Sequence, residues 1–433
     1  MDNPRKMALN SLIKSESVSS FSNIEINSAL SRADLEKNDA ALYTALYMGV
    51  TERLLTLDHI ISAYSKVPIE KIDIEAKNAI RLGLYQLCFM DKIPDYSAVS
   101  ETVELCPKRS KGFVNAILRG FIRNNKEIPY PEDKWKAISV KTSIPVAVLD
   151  IFKDSYGEDT AEKIALSATF RGGISLRVNT LKKTPDEIIK ILTGIGAQCS
   201  VDKYSSDIIK TNATVAQIKE LIDTGCVFVQ DTASRLTTKI INASAGERIL
   251  DACACPGGKS FSLAIDMNNE GEIISCDLHK NKLSLVKNGA KRLGIDIIKT
   301  KEQNGKEPVN EWKDSFDKVL CDVPCSGLGV ISKKPDIKYK PVNAIYALPQ
   351  IQYSILQNCS KYVKIGAELI YSTCTLNKKE NEDVVRAFLE SNTGFSSVEF
   401  DVDGITSHGG MYTFFPHINS TDGFFVAKMK RVK

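Results

Sequence analysis

The spacing of apolar side chains predicts helices in the first part of the chain. From residue 6 to about residue 123, apolar side chains recur every three or four positions, as they do in residues 79–87. That period is typical of helices that pack on one face. Pro94 and Pro107 interrupt the pattern and predict helix ends. We therefore expect an all-helical domain, whose last helix is predicted at residues 112–123.

A linker and a small mixed segment follow the helical part. Residues 124–131 contain two prolines among polar residues, a composition typical of a linker. Residues 174–179 have the alternation of a strand. A helix is predicted to open at Thr184, because Pro185 and two acids occupy its first turn. The mixed segment extends to about residue 230.

From about residue 247 onward the pattern alternates between strands and helices. Strands are predicted at residues 248–252, 272–277, 316–322 and 367–372, and helices from residue 259, at 280–293 and at 343–363. Such alternation is typical of a parallel, doubly wound sheet. Residues 411–415 and 423–428 flank a turn-rich stretch and predict an antiparallel hairpin.

The resulting fold prediction is a chain of several domains. We expect an all-α domain at residues 1–127 and a small α+β domain at residues 134–232, which connects the larger domains. Residues 233–433 are predicted to form an α/β Rossmann-like domain with a C-terminal antiparallel hairpin. The length of 433 residues agrees with two or three domains of roughly 150 residues each.

Composition narrows the class of protein. Hydrophobic residues make up 43% of the chain and charged residues 25%, which excludes a largely disordered or fibrous protein. No apolar run approaches the roughly 18 residues of a membrane-spanning helix, and no secretory segment is visible at the N-terminus. The eleven cysteines are odd in number and have no framework spacing. We therefore expect reduced thiols and a cytoplasmic location.

Charge indicates nucleic-acid binding only locally. Lysine and arginine total 57 against 53 acids, a net charge of +4. Residues 106–126 contain no acid and six basic residues, namely Lys108, Arg109, Lys111, Arg119, Arg123 and Lys126. Positions 111, 115, 119 and 123 share one flank of the predicted helix. Two interpretations stay open, a solvated helix face and a stripe that contacts phosphates.

The first predicted strand of the α/β part runs into a loop with two glycines. Ligands of doubly wound sheets bind beyond the carboxyl ends of the strands, where this loop lies. Its glycines let the backbone pass close to a ligand, but the spacing is neither that of a dinucleotide-binding loop nor that of a P-loop. The loop consists of Cys253, Ala254, Cys255, Pro256, Gly257, Gly258 and Lys259.

Two acids complete a cofactor pattern. Asp277 ends the second predicted strand, where a carboxylate can bond a ribose diol, and Asp322 ends a later strand. An adenosine-bearing ligand without a pyrophosphate fits this arrangement best. The pattern therefore predicts S-adenosyl-L-methionine as the cofactor.

Two cysteines follow later predicted strands. Cys325 and Cys374 are both expected to face the cofactor across one crevice. Carbon-5 of a pyrimidine is a weak nucleophile, but a thiolate that adds to carbon-6 makes carbon-5 able to attack a methylsulfonium. One cysteine can be that nucleophile, and the other can assist deprotonation or release. The nucleophile needs local positive charge to lower its pKa from about 8.5, and Lys259 is a candidate.

The remaining cysteines have a simpler interpretation. Most are expected to be small buried hydrophobic residues, namely Cys88, Cys106, Cys199, Cys226 and Cys359. A zinc site is conceivable from Cys253, Cys255, Cys276 and Cys321. Their spacing is not that of paired knuckles, so no metal is expected.

Taken together, these residues resemble the bacterial ribosomal RNA cytosine-C5 methyltransferases of the B type (RsmB, also called Sun or Fmu). The resemblance covers nearly the whole chain and is carried by residues 251–259, 322–327, 334–338, 372–374 and 422–425. Residues 113–119 are similar to the family's N-terminal domain, which has the all-helical fold of the antitermination factor NusB. The resemblance implies methylation of carbon-5 of a cytidine in 16S ribosomal RNA through a covalent cysteine–cytosine adduct.

Residue roles follow from the resemblance. The family's nucleophile corresponds to Cys374, and the cysteine that assists breakdown of the adduct corresponds to Cys325. The cofactor contacts correspond to the loop 253–259, Asp277 and Asp322. The family's aspartate that accepts a hydrogen bond from the adenine amino group falls on Asn304, whose side-chain carbonyl can accept the same bond.

The resemblance also implies the partners, and two alternatives stay open. We expect residues 1–127 to bind RNA and residues 134–232 to bind RNA or to connect the larger domains. We expect 16S ribosomal RNA as the substrate, no membrane partner, no metal and a monomer. One alternative is an RNA-binding assembly or antitermination factor with a vestigial methyltransferase domain. The other is a transfer RNA cytosine-C5 methyltransferase.

Overall fold

The structure, a computed structural model, describes residues 2–18, 22–169 and 173–433. Its contacts group the chain into two units. The first consists of Met1–Thr169 and Ile331–Lys340, and the second of Phe170–Val330 and Pro341–Lys433. These two units are defined by contacts, whereas the three domains at residues 1–127, 134–232 and 233–433 are defined by sequence pattern. The bounds of the three domains therefore stay predictions.

Helices build the first unit, as the apolar spacing predicts. They are α1 (Pro4–Val18), α2 (Ser22–Leu30), α3 (Lys37–Glu52), α4 (Leu54–Tyr64), α5 (Ile74–Phe89), α6 (Asp95–Glu104), α7 (Lys108–Arg123), α8 (Lys134–Thr142), α9 (Val146–Tyr156) and α10 (Glu158–Ser167). The apolar faces of α1–α7 share one core, which includes the fully buried Tyr43, Leu46, Leu84, Leu118 and Phe121.

Helix α7 begins one turn earlier than predicted. The sequence predicts a helix over residues 112–123, whereas the helix starts at Lys108, directly after Pro107 at its N-cap. A proline at this position fixes the entry of the chain, and Gly112 is accommodated inside the helix.

The segment Ile331–Lys340 packs within the first unit although its sequence neighbours belong to the second. Lys338 donates a hydrogen bond from Nζ to the carbonyl oxygen of Glu52 at 2.7 Å. The hydroxyls of Tyr339 and Ser143 share a hydrogen bond of 3.0 Å. These long-range bonds fasten a 3-10 helix, Pro335–Tyr339, to the helical unit.

The second unit contains a small antiparallel sheet with the strand order β2-β3-β1-β4. Its elements are β1 (Ile174–Val178), α11 (Pro185–Gly194), β2 (Cys199–Val201), β3 (Ile208–Thr211), α12 (Lys219–Asp223) and β4 (Val227–Val229). The helix predicted at Thr184 is confirmed, because Thr184 and Glu187 form a reciprocal capping box at the start of α11.

A larger mixed sheet follows, with the strand order β10-β14-β9-β8-β5-β6-β7 and β13 paired with β14. Its strands are β5 (Arg248–Asp251), β6 (Glu272–Asp277), β7 (Ile298–Glu302), β8 (Phe316–Asp322), β9 (Val363–Thr373), β10 (Phe395–Ser397), β13 (Met411–Phe414) and β14 (Phe424–Arg431). Strands β5–β9 are parallel, whereas β10, β13 and β14 are antiparallel to their neighbours. The predicted Rossmann-like fold and its C-terminal hairpin are confirmed.

Helices cover this sheet, and a short hairpin lies beside it. The helices are α13 (Thr232–Ile241), α14 (Gly258–Asp266), α15 (Lys280–Leu293), α16 (Val342–Tyr346), α17 (Leu348–Ser360), α18 (Glu382–Ser391) and α19 (Pro416–Asn419), and the hairpin is β11 (Asp401–Val402) with β12 (Ile405–Thr406). The chain runs from β5 outward in one direction through β6 and β7, and in the other through β8 and β9. This reversal places the expected ligand crevice beyond the carboxyl ends of β5 and β8.

The sequence predicts one long helix where the structure has two helices, α16 and α17, and the first residue of strand β9. The prediction of a helix over residues 343–363 is wrong at its middle and its end. The helix ends before Ala347 because Pro349 lies in the first turn of α17, a position that favours the start of a new helix. Val363, at the predicted end, is the first residue of β9. None of the described helices is long and apolar enough to cross a membrane.

A buried ionic cluster joins the small sheet to the larger one. Arg177 of β1 contacts Asp207 at 2.7 Å and Asp266 at 3.2 Å, and Arg235 of α13 contacts both carboxylates as well. Burial raises the pKa of Asp207, but the two guanidinium groups more than offset this effect and the pKa is lowered. Each charge in the cluster therefore depends on its partners.

We expect Asp207→Asn to lower the free energy of unfolding of the second unit by about 3–5 kcal/mol at pH 7, because it leaves two buried guanidinium groups undercompensated. The stabilisation by Asp207 is present above the carboxyl group's usual pKa of about 3.9 and is lost as the pH falls through the lower pKa of the folded protein. Urea unfolding from pH 7 to pH 3 checks both points. Asp296→Asn, at an exposed position, is the control, and equal stabilities of the two variants would contradict the assignment.

Candidate active site

The predicted glycine loop joins β5 to α14. Gly257 has a φ of +115°, and a Cβ atom at this position would lie 2.5 Å from the ring of Phe261. Only glycine satisfies both conditions. Gln230 holds the start of α14 from outside by donating to the carbonyl oxygen of Gly258 at 3.0 Å. The backbone at Gly257 and Gly258 therefore carries no side chain, so the N–H groups at the start of α14 can approach a ligand.

Two acids flank this loop, Asp251 and the predicted cofactor residue Asp277. Asp251 is buried at the end of β5 and accepts a hydrogen bond from Ser260 at 2.7 Å, while its Oδ1 atom has no partner among the described residues. Burial raises its pKa to about 7. Asp277 ends β6, and its Oδ1 accepts from the backbone N–H of His279 at 2.8 Å. The Oδ1 atom of Asp251 beside the glycine loop and the carboxylate of Asp277 at a strand end are both acceptors. Such acceptors fit a nucleoside ligand such as S-adenosyl-L-methionine.

Asp322 and Lys259 form an ion pair next to the loop. The Nζ atom of Lys259 lies 2.7 Å from Asp322 Oδ2, and Ser372 donates to Asp322 Oδ1 at 2.8 Å. Burial lowers the pKa of Lys259, but the charges of Asp322 and Cys374 more than offset it and the pKa is raised. Lys259 therefore supplies a fixed positive charge close to Cys374.

The two predicted cysteines meet. Cys374 directly follows β9, Cys325 follows β8, and their sulfur atoms are 3.1 Å apart. Neither cysteine is in a disulfide, and both are partly accessible. The hydrogen bond with Cys374, together with burial, raises the pKa of Cys325 well above its usual value. Cys325 is thus held as a neutral thiol that can donate to the sulfur of Cys374.

The carboxylate of Glu380 anchors the Cys325 loop, and the sequence analysis did not single it out. This buried side chain accepts hydrogen bonds of 2.6–2.9 Å from the N–H and hydroxyl groups of Ser326 and from the side chains of Gln352 and Asn377. Gln352 also donates to the carbonyl oxygen of Pro324. The available signal was only a glutamate six residues after Cys374.

Asn381 and two glycines hold the loop that carries Cys374. Asn381 accepts from the hydroxyl of Thr373 and donates to the carbonyl oxygen of Thr375 at 3.0 Å, so it spans the cysteine from both sides. The N–H of Gly329 donates to the carbonyl oxygen of Cys374 at 3.0 Å. A Cβ atom on Gly329 would lie 1.9 Å from the carbonyl oxygen of Gly423, so a side chain there would force the backbone to shift.

Asn304 lies two residues beyond the end of β7. Its amide nitrogen donates to Glu307 at 2.8 Å, and its Oδ1 accepts from the N–H of Lys306 at 3.2 Å. The position agrees with a residue at a strand end, while its contact with adenine stays a prediction.

The six basic residues between positions 106 and 126 differ in their contacts with acids. Three have an acid partner within 3.2 Å: Arg109 with Asp73, Lys111 with Glu104, and Lys126 with Asp95. Lys108, Arg119 and Arg123 are exposed. The pairs reduce the charge available for phosphates, and the choice between a solvated face and an RNA-binding stripe stays open.

The other cysteines follow their predicted roles in part. Cys106 and Cys359 are buried, whereas Cys88, Cys199 and Cys226 are only partly buried. Within residues 2–18, 22–169 and 173–433, no group of three or more His, Cys, Asp or Glu side chains is placed to hold a metal ion.

Two family models match the chain. Residues 238–430 match the model described as 16S rRNA methyltransferase RsmB/F, and residues 2–123 match the NusB family. The first range covers the sheet that carries the thiol pair, and the second covers helices α1–α7 of the first unit.

Known proteins are similar over nearly the full length. The probable ribosomal RNA small subunit methyltransferase B of Bacillus subtilis is 33% identical over 99% of this chain and 98% of its own. The ribosomal RNA small subunit methyltransferase B of Shigella boydii is 31% identical over 90% of each chain.

Solved structures share the fold. The crystal structure of PH0851 superposes with a TM-score of 0.83 at 25% identity, over 100% of this chain and 99% of that one. NSun6 from Pyrococcus horikoshii with SFG gives a TM-score of 0.59 at 22% identity, over 67% of this chain and 98% of that one. The family models and the full-length relatives show that the chain belongs to the RsmB/F family of 16S rRNA methyltransferases, whose cofactor is S-adenosyl-L-methionine.

Proposed function

We propose that the chain methylates carbon-5 of a cytidine in small-subunit ribosomal RNA through a covalent adduct with Cys374. The observation that carries this proposal is the pair of thiols, 3.1 Å apart, beyond the carboxyl ends of adjacent parallel strands. Exocyclic-amine methylation needs no such pair, whereas carbon-5 chemistry needs a nucleophile and a group for its release. The relatives' names as small-subunit ribosomal RNA methyltransferases support the substrate.

The cofactor supplies an electrophilic methyl group, and the residues of the chain divide the remaining work. Cys374 would add through its sulfur to carbon-6, and carbon-5 would then take the methyl group as the bond between that methyl and the sulfonium sulfur breaks and the cofactor leaves as a neutral thioether. A base then removes the proton from carbon-5. The bond between the sulfur of Cys374 and carbon-6 breaks, which restores the aromatic ring and releases Cys374 as a thiolate. Lys259, held by Asp322, favours the thiolate of Cys374 over its thiol. Cys325, as the neutral neighbour of Cys374, is assigned to the release step.

Nucleoside mass spectrometry tests the proposal as a whole. The purified protein and S-adenosyl-L-methionine are incubated with unmodified 16S ribosomal RNA, with the assembled small subunit and with transfer RNA. We expect 5-methylcytidine in one of the two ribosomal substrates. Methylation of transfer RNA alone would keep the chemistry and overturn the substrate. A protein that binds RNA but not the cofactor would favour the alternative of an assembly factor with a vestigial methyltransferase domain.

Substitution of the two cysteines separates their roles. We expect Cys374→Ala to abolish turnover, because no sulfur remains to add to carbon-6. We expect Cys325→Ala to accumulate a protein–RNA adduct that survives a denaturing gel, because release is slowed. Cys88→Ala, a partly buried cysteine of the first unit, serves as the control and should retain activity. Full activity of Cys374→Ala with none in Cys325→Ala would reverse the assignment.

We expect Glu380→Gln to lower kcat about 10- to 100-fold with little change in cofactor affinity. Every partner of the Glu380 side chain is a donor, so the NH2 group of a glutamine would face another donor and lose that hydrogen bond. The loss would displace the Cys325 loop. Single-turnover methylation and cofactor titration are the measurements, and Glu390→Gln, at an exposed position, is the control. Loss of cofactor binding together with kcat would instead indicate general unfolding of the site.

We expect α7 to contribute a modest electrostatic term to RNA binding. If Lys108, Arg119 and Arg123 contact single-strand phosphates, the slope of log affinity against log salt is about −0.7 × 3, roughly −2, and all six charges would give roughly −4. The double variant Arg119→Ala, Arg123→Ala should therefore make the slope shallower by about 1.4. Filter binding at several salt concentrations measures it. An unchanged slope would assign these residues to a solvated face.

A further inference from the structure

An exposed aromatic ring with a lysine over it lies on the second unit, outside the groups that the methyl transfer uses. Tyr346 ends α16 with 55% of its surface exposed. The Nζ atom of Lys379 lies over the Tyr346 ring, 5.5 Å from its centroid. Proteins bind single-stranded RNA by stacking bases on exposed aromatic rings and by placing cations beside the backbone. This pair offers both groups in one place.

A groove beside Tyr346 extends this surface. It lies between α17 and α18, has a volume of about 340 Å³, and its walls include Pro349, Tyr353, Lys379 and Val384. The walls are largely apolar, as suits the flat face of a base, and Lys379 is common to the groove and the ring.

Charge around the groove is complementary to RNA on the side of Tyr346. Lys378, Lys379 and Arg386 are exposed on the turn and helix that form this wall. Asp383 is the acid that lines the groove, and it lies on α18. The lining itself therefore has one cation, Lys379, and one acid, Asp383, and Lys378 and Arg386 add exposed positive charge on the same turn and helix, which favours a phosphate near Lys379.

The same segment is fastened to the catalytic cysteines. The backbone N–H of Lys379 donates to Asn377, and Asn377 donates to Glu380, which holds the loop of Cys325. Lys379 follows Cys374 by five residues, so their Cα atoms are at most about 18 Å apart. A nucleotide on Tyr346 is therefore within a few nucleotides of a base held at Cys374.

We infer that Tyr346 and Lys379 form a platform on which a base flanking the target cytidine stacks. The inference rests on the proposed function, because it requires an RNA substrate at the cysteine pair. The platform would position the RNA strand without touching the reacting atoms. Tyr346 is thus a positioning residue that acts on substrate binding, and its removal should raise KM for RNA far more than it lowers kcat.

The test compares steady-state methylation by the full-length protein and three variants. We expect Tyr346→Ala to raise KM for RNA about tenfold, while Tyr346→Phe keeps the ring and stays near wild type. Ile365→Ala removes an exposed apolar side chain near the other end of β9, roughly 30 Å along the strand from Cys374, and should change nothing. Affinity for S-adenosyl-L-methionine, measured by titration, should be the same in all four proteins.

A second measurement examines the lysine. We expect Lys379→Gln to make the salt dependence of RNA binding shallower by about 0.7 in the log–log slope. Wild-type activity combined with an unchanged KM in Tyr346→Ala would overturn the platform and leave the proposed function intact. Equal losses in Tyr346→Ala and Tyr346→Phe would also overturn it, because stacking needs only the ring. A wild-type protein that methylates no RNA would overturn the proposed function itself.

Discussion

The pairing of two parallel strands is the constraint on which the reacting groups depend. Asp322 at the end of β8 lies opposite Ser372 in β9, and the hydroxyl of Ser372 bonds the carboxylate of Asp322. This register brings the segments that follow both strands to the same edge of the sheet, where Cys325 and Cys374 meet. A slip by one residue would turn the strand-end side chains to opposite faces and separate the groups.

Strand register alone does not fix the loops that follow β8 and β9. Buried hydrogen bonds hold these loops, which carry Cys325 and Cys374, in place. A carboxylate removed from water is costly unless donors surround it. Glu380 satisfies this condition with donors from Ser326, Gln352 and Asn377, which come from three separate segments. The cost of leaving any of these donors unpaired keeps the three segments together. The same network therefore maintains both the local fold and the position of Cys325.

The sequence predicted what depends on local pattern and on strand order. The capping box at Thr184, the alternating elements after residue 247 and the convergence of the two cysteines all follow from short-range spacing or from the geometry of parallel sheets. The role of Glu380 and the packing of Ile331–Lys340 in the first unit could not be predicted. They depend on side-chain bonds between residues far apart in the chain, such as Lys338 with Glu52, and these leave no periodic signal.

The C-terminal hairpin is part of the site as well as of the sheet. Strand β14 pairs with β9 along the residues that precede Cys374, and Gly423 at its start donates to Gly329, which in turn donates to the carbonyl oxygen of Cys374. The backbones approach so closely there that no side chain fits on Gly329. Phe424, the next residue, places its ring 4.7 Å from the Nζ atom of Lys259. One short segment thus fixes the backbone of Cys374, the proposed nucleophile, and borders Lys259, the proposed source of the charge that favours its thiolate.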